Sequence, residues 1–154
     1  MSALIDSLPR YRRMTGGDLD RVVAIENSAY PYPWTRGNFR DSLDFGYHCW
    51  VMEVAGEIVG YCVVMIAVNE AHLLNLTIAA EWQRHGLGRE LLGFLVQLAR
   101  EFLAHKIYLE VRPSNVAGRK LYAGAGFSEI ATRRGYYPAH DGREDAVILE
   151  LALA

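Results

Sequence analysis

Strand-like segments early in the chain, followed by strand, helix, strand, helix and a closing strand pair, predict an α+β domain built on a mixed sheet. Three observations carry the prediction. Apolar β-branched and aromatic runs flank short glycine-bearing turns, and several stretches space their apolar residues three and four apart. The length of 154 residues with 51% hydrophobic side chains suits one domain with a substantial core. A single domain over 1–154 is expected, without internal repeats or low-complexity tracts.

Arg10 to Met14 reads as a short first strand. Thr15 then reads as a helix N-cap, with Asp18 three residues on as a short relative of the capping-box acid. Leu19, Val22, Val23, Ile25 and Glu26 follow at helical spacing. Tyr30-Pro31-Tyr32-Pro33-Trp34 ends that helix, because prolines lack a donor and restrict the residue before them. Thr35 caps a second short helix running to about Leu43.

Tyr47 to Val54 and Glu57 to Val68 are strands parted by Ala55-Gly56, the pattern of an antiparallel hairpin. Counting outward from that loop, Cys49 and Cys62 fall opposite each other across the ladder, within bridging range. A reducing compartment makes two packed thiols the expected state. A polar turn at Asn69-Glu70-Ala71-His72 leads to a third strand, Leu73 to Ala80. Leu91, Leu95, Leu98 and Phe102, with Leu92, Ala99 and Leu103 alongside, form the apolar face of a long helix. Lys106 to Val111 is a strand and Asn115 to Ala125 a helix closed by Gly126. Phe127 to Tyr137 and Asp145 to Leu153 are the final strand pair.

A net charge of -2 argues against a protein that works chiefly by gripping nucleic-acid phosphates. No apolar run approaches the roughly 20 residues that span a bilayer, and the first residues lack the apolar core of a secretory signal. No membrane association and a cytoplasmic location are therefore expected. Histidines 48, 72, 85, 105 and 140 are dispersed without ligand spacing, so no metal is expected.

Gln83-Arg84-His85-Gly86-Leu87-Gly88-Arg89 joins a predicted strand to the long predicted helix. Its glycines let backbone N–H groups converge where a helix start is positive, which makes an anion cradle. A nucleotide-hydrolysing loop would carry lysine and then serine or threonine after its last glycine, and Arg89-Glu90 stand there. A dinucleotide fingerprint would need glycine at 91, where Leu91 stands. An ordinary glycine-bearing strand-to-helix turn is the bland alternative.

The Gln-x-x-Gly-x-Gly loop resembles the acetyl-CoA pyrophosphate loop of the GNAT N-acetyltransferase superfamily. Leu109-Glu110-Val111-Arg112-Pro113-Ser114-Asn115, with Leu121-Tyr122 and Gly126-Phe127, is similar to the C-terminal core motif of that superfamily. Arg133-Arg134-Gly135-Tyr136-Tyr137-Pro138 and Asp141-Gly142-Arg143-Glu144-Asp145-Ala146 extend the likeness to the ribosomal-protein-alanine N-acetyltransferase (RimI) family, from about Tyr11 onward. The family pattern that the resemblance implies has a larger polar residue where Gly135 stands, a departure at that position.

The resemblance implies a GNAT fold: a mixed central sheet of about seven strands, helices on both faces, and two central strands that splay to admit the pantetheine arm. It implies acetyl-CoA as donor, held by Leu76, Thr77 and Ile78 along the arm, by Arg84, His85, Gly86, Leu87, Gly88 and Arg89 at the pyrophosphate, and by Asn115. It implies Glu110 as general base, Tyr122 as general acid and the Ile78 amide as oxyanion donor. Trp34, with Tyr32, and Tyr136 and Tyr137 would wall the acceptor slot, with Asp141, Glu144 and Asp145 attracting basic residues downstream. The implied acceptor is a protein N-terminus, the alanine of a small-subunit ribosomal protein, and the implied state a monomer or weak oligomer. A small-molecule amine, a lysine side chain, or a non-catalytic acyl-CoA-binding role are the competing readings.

Overall fold

The computed structural model describes residues 8–153. Its strands form a mixed seven-stranded sheet in the order β1-β2-β3-β4-β5-β7-β6, accompanied by four α-helices. The strands are β1 (Arg10–Arg13), β2 (His48–Val54), β3 (Glu57–Ala67), β4 (Glu70–Ile78), β5 (Lys106–Val111), β6 (Ser128–Ala139) and β7 (Gly142–Ala152). The helices are α1 (Leu19–Ala29), α2 (Arg36–Asp44), α3 (Leu87–Glu101) and α4 (Val116–Gly124). Two compact units divide the chain: residues up to Met65 with Asn75–Leu95, and Ile66–Leu74 with Val96 onward. No helix among the described residues is long and apolar enough to cross a membrane.

In the first unit, β1 and β2 pair antiparallel, as do β2 and β3. Thr15 caps a short 3-10 turn, Gly16–Asp18, that leads into α1, with Asp18 as the acid of a capping box. The Asp18 carboxylate accepts the Thr15 N–H and both terminal nitrogens of Arg12, each at 2.8 Å. The Arg12 guanidinium holds that carboxyl below its usual range. Leu19, Val22, Ile25 and Glu26 form the buried stripe of α1. Thr35 caps α2 reciprocally with Asn38: the Asn38 N–H donates to Thr35 Oγ1 and the Thr35 N–H to Asn38 Oδ1.

The hairpin loop is Ala55-Gly56, both at positive φ, as a tight primed turn requires. The cysteine register differs from the sequence expectation. Between Met52 and Glu53 the pairing shifts by one, with Met52 opposite Gly60 and Glu53 opposite Ile58. This bulge places Cys49 opposite Val63 and Trp50 opposite Cys62. Both cysteines are buried thiols, and burial pushes them up to about 11 and about 12.

The polar turn before β4 is shorter than expected. Asn69 alone takes positive φ there, and Glu70, Ala71 and His72 already belong to the strand. These three pair parallel with Lys106, Ile107 and Tyr108 of β5. Strand alternation then puts Glu70 and His72 on the half-buried face and Ala71 and Leu73 on the buried one.

Helix α3 buries Leu91, Leu92, Leu95, Leu98 and Ala99, but it starts and stops earlier than expected. Phe102 and Leu103 lie beyond its end and are exposed. Leu103 adopts φ 63°, and the Ala104 N–H reaches back to the Ala99 carbonyl, a left-handed helix stop that turns both side chains out of the packing stripe. In the second unit β5 and β7 pair antiparallel and β7 closes on β6 through His140-Asp141, a longer hairpin than the sequence predicts.

Candidate active site

The first unit holds the expected cofactor loop. Arg84 and Gly86 both take positive φ, 67° and 78°, the second without steric cost and the first at about 1–2 kcal/mol. His85 lies between them without positive φ, and this alternation of backbone conformations is the pattern that can turn amides toward one side in an anion-binding nest. The Glu90 N–H bonds the Gly86 carbonyl at 3.1 Å, so the amides of Leu87, Gly88 and Arg89 precede the helical ladder. Arg84, His85, Gly86 and Arg89 are exposed, and Leu87 and Gly88 half-buried. Gln83 anchors the loop, its Nε2 donating to the Ile78 carbonyl at 3.0 Å.

The end of β4 is polar inside an apolar unit. The Tyr30 hydroxyl donates to the Leu76 carbonyl at 3.2 Å and lies 2.9 Å from Thr77 Oγ1, whose own hydroxyl donates to Asn75 Oδ1. Two of the expected backbone acceptors, those of Leu76 and Ile78, are thus engaged by side chains. Gly60 on β3 permits this close approach, because a Cβ there would stand 2.8 Å from the Thr77 carbonyl oxygen. Below this segment Glu26 is 2% exposed. Its carboxylate accepts the Tyr61 hydroxyl at 2.6 Å, Asn75 Nδ2 at 3.1 Å and the Trp34 N–H at 2.9 Å. Burial and the neighbouring Glu26 raise the Tyr61 hydroxyl far above its ordinary value. Trp34 is half-buried, its ring tilted against Phe39 at 5.1 Å.

The second unit gathers Glu110, Tyr108, Tyr137 and His72. Glu110 Oε1 lies 2.8 Å from His72 Nε2, and the two side chains are only 14% and 16% exposed. Glu110 also lines a pocket of about 310 Å³ with Tyr108, Arg133, Ile148 and Glu150. Burial first, then the Glu110 carboxylate, push the Tyr137 hydroxyl up to about 12, while Arg112 opposes them. Tyr136 stands edge-on to Tyr137 at 4.9 Å, and the Arg112 guanidinium covers the Tyr137 ring at 4.3 Å. Tyr122 on α4 is buried, edge-on to Phe127. Asn115 is the N-cap of α4, its Oδ1 accepting the Gly118 N–H at 2.9 Å, which leaves the amide nitrogen for other contacts.

The acidic residues of the last hairpin do not behave as a surface cluster. Glu144 accepts the Ser114 N–H, the Ser114 hydroxyl and Arg112, which tie the hairpin to the loop after β5. Asp145 accepts the Gly135 N–H at 2.9 Å. Both carboxylates are therefore committed internally, and Asp141 remains exposed. Gly135 takes φ 58°, within a bulge between Arg133 and Tyr137, which accounts for glycine at that position. Among the described residues no group of three or more His, Cys, Asp or Glu could hold a metal ion.

Residues 19–127 match the model of the acetyltransferase (GNAT) family. The chain belongs to this family. The alanine N-acetyltransferase of ribosomal protein bS18 from Escherichia coli K12 is 35% identical over 137 residues, 89% of this chain and 93% of that one. The crystal structure of the ribosomal-protein-S18-alanine N-acetyltransferase from Escherichia coli superposes with a TM-score of 0.88 at 33% identity, covering 96% and 95% of the two chains. A Salmonella typhimurium protein solved with its cofactor acetyl-CoA has a TM-score of 0.79 at 20% identity, covering 96% and 95%, and shares the fold.

Four residues to which the sequence assigns no site role contact candidate site residues: Tyr30 at Leu76 and Thr77, Gln83 at Ile78, Glu26 at Trp34, and His72 at Glu110. Glu26 carried a signal, a carboxylate within an otherwise apolar helical stripe. His72 also carried one, since Glu70-Ala71-His72-Leu73 already alternates polar and apolar, as a strand with one open face does. Gln83 stood in the loop motif, but nothing in the spacing tied it to the Ile78 carbonyl.

Proposed function

We propose that this acetyltransferase moves an acetyl group from acetyl-CoA to the N-terminal α-amine of a protein, the N-terminal alanine of a small-subunit ribosomal protein being the acceptor the likeness favours. The chain, 1–154, is read as one N-acetyltransferase domain. The observation that carries the reading is Glu110, a carboxylate on the open face of β5, lining a pocket and electrostatically coupled to Tyr137 on the last hairpin.

The loop from Arg84 to Arg89 fits a pyrophosphate, since it has two positive-φ positions, pre-ladder amides at a helix start, and exposed residues at Arg84, His85, Gly86 and Arg89. Acetyl-CoA, when bound, supplies the thioester that the amine attacks. Glu110 accepts the proton that the amine must lose, directly or through water. The Ile78 amide donates to the developing oxyanion. Tyr122 gives or shares a proton with the departing sulfur. A tyrosine near 10 facing a thiolate near 8.5 runs uphill by about 2 kcal/mol, so hydrogen bonding to the sulfur is the larger part of its role. At neutral pH an α-amine near 7.7–8.0 loses its proton for about 1 kcal/mol, against about 4–5 for a lysine. One carboxylate base suits the first acceptor better than the second.

The test is incubation with acetyl-CoA and two peptides, one with a free alanine N-terminus and one N-blocked but lysine-bearing, followed by mass mapping. Acetyl is expected on the free α-amine, and labelling confined to lysine would overturn the acceptor. The loop is tested separately. Gly86→Val forces a β-branched residue to φ 78° with open space around its Cβ, so the effect is on backbone geometry and not on packing. The KM for acetyl-CoA should rise about tenfold or more, with kcat at saturation within about threefold, if the nest holds the cofactor. An unchanged KM would remove the loop from the binding site.

A further inference from the structure

The contact between His72 and Glu110 joins β4 to β5 on the open face of the second unit. Parallel pairing sets His72 opposite Tyr108, so His72, Tyr108 and Glu110 project from one face, and the imidazole stacks on the Tyr108 ring at 4.2 Å and 18°. An ionised carboxylate only accepts, so a 2.8 Å contact to it requires the proton of His72 on Nε2. Oε1 is thereby occupied and Oε2 left to the pocket side chemistry. A glutamate loses considerable rotamer freedom when fixed, and the stacked, mostly buried imidazole provides that restraint from outside β5.

We propose that His72 is a positioning residue for the acetyl-transfer reaction: its Nε2–H clamps Glu110 Oε1 and aims Oε2 at the acceptor amine. This rests on the reading of Glu110 as the general base. A base must sit within about 2.6–3.2 Å, heavy atom to heavy atom, of the group whose proton it takes, or reach it through one water, and a displacement of about 1 Å can cost up to about a hundredfold in rate. Tyr108 and Tyr137 flank the same carboxylate, but the hydrogen bond drawn to it is that of His72.

The test uses the full chain, acetyl-CoA and the alanine-initiated peptide. His72→Phe keeps a ring against Tyr108 and removes the donor; kcat should fall about 10- to 100-fold, with the KM for acetyl-CoA within about twofold. His72→Gln restores a donor and should return kcat to within about fivefold of the parent. In a Glu110→Gln background, His72→Phe should change kcat by less than about twofold, because the two residues act as one unit. A parent-like kcat in His72→Phe, or a loss that multiplies with that of Glu110→Gln, would overturn the proposal. Parent-like turnover in Glu110→Gln alone would instead remove the base assignment, an outcome visible separately. Nitrogen-15 NMR of the unsubstituted protein needs no variant: a protonated Nε2 whose resonance moves on Glu110→Gln is the expected signature, and a proton-free Nε2 sinks the clamp.

Discussion

Glu110→Gln is expected to lower kcat for acetylation of an alanine-initiated peptide by about 10²- to 10⁴-fold, the usual span for loss of a general base. The substitution changes little else. Glutamine keeps the volume and keeps an oxygen that accepts from His72 Nε2, so the 2.8 Å contact survives. Glu110 sits in none of the apolar packing that holds β5, which is formed by Ile107, Leu109 and Val111 on the opposite face. The melting temperature should therefore move by no more than about 2–3 °C. Acetyl-CoA affinity measured by calorimetry should stay within about threefold, since the expected cofactor contacts lie on β4, the Arg84–Arg89 loop and Asn115. Loss of turnover with retained affinity separates catalysis from a merely acyl-CoA-binding role. Retained turnover would strike Glu110 from the mechanism, whatever the acceptor.

The parts of the fold and of the candidate site whose placement sequence reasoning reached are those encoded locally in the chain. The Arg84–Arg89 loop is legible as a turn because a strand, two glycines and a helix start are all contained in a few residues; Gly86 supplies one positive-φ position, whereas nothing in the sequence marks Arg84 as the other. Glu110, Asn115 and Tyr122 are legible through a motif that spans one strand, one loop and one helix. What escaped depends on partners far away in sequence. The bulge that separates Cys49 from Cys62 is set by how β2 and β3 pack, not by their hairpin loop, which was read correctly. His72 reads as a turn residue in the sequence because polar side chains are common in turns, and they are equally common on the open face of a strand, where β4 places it. Glu144 and Asp145 looked like surface charge until Ser114, Arg112 and the Gly135 amide were brought beside them. Phe102 and Leu103 continued an apolar period past the point where a left-handed stop ended the helix.

Glu26→Ala is expected to be the most destabilising single change at the site. The carboxylate is fully enclosed and is the shared acceptor for the Tyr61 hydroxyl, Asn75 Nδ2 and the Trp34 N–H. Alanine leaves those donors facing a cavity, and a buried donor deprived of its acceptor costs about 1–3 kcal/mol. Relaxation and water entry recover part of the sum, so a loss of about 3–5 kcal/mol is expected, in line with breaking other buried charged networks. For a chain of this size that is a fall in melting temperature of about 6–20 °C. Glu26→Gln should lose roughly half as much, because it keeps one carbonyl oxygen for Tyr61 and Asn75 but turns an NH₂ toward the Trp34 amide. The same substitutions probe function through different atoms. Asn75 receives the Thr77 hydroxyl, and Thr77 lies beside Tyr30 at the end of β4, while Trp34 belongs to the loop expected to wall the acceptor slot. In Glu26→Gln, assayed well below its melting temperature, the KM for the acceptor peptide should rise more than the KM for acetyl-CoA, because the direct loss falls on the Trp34 backbone. A melting temperature within about 2 °C of the parent for Glu26→Ala would mean that water satisfies the network and that the carboxylate does not organise this part of the fold.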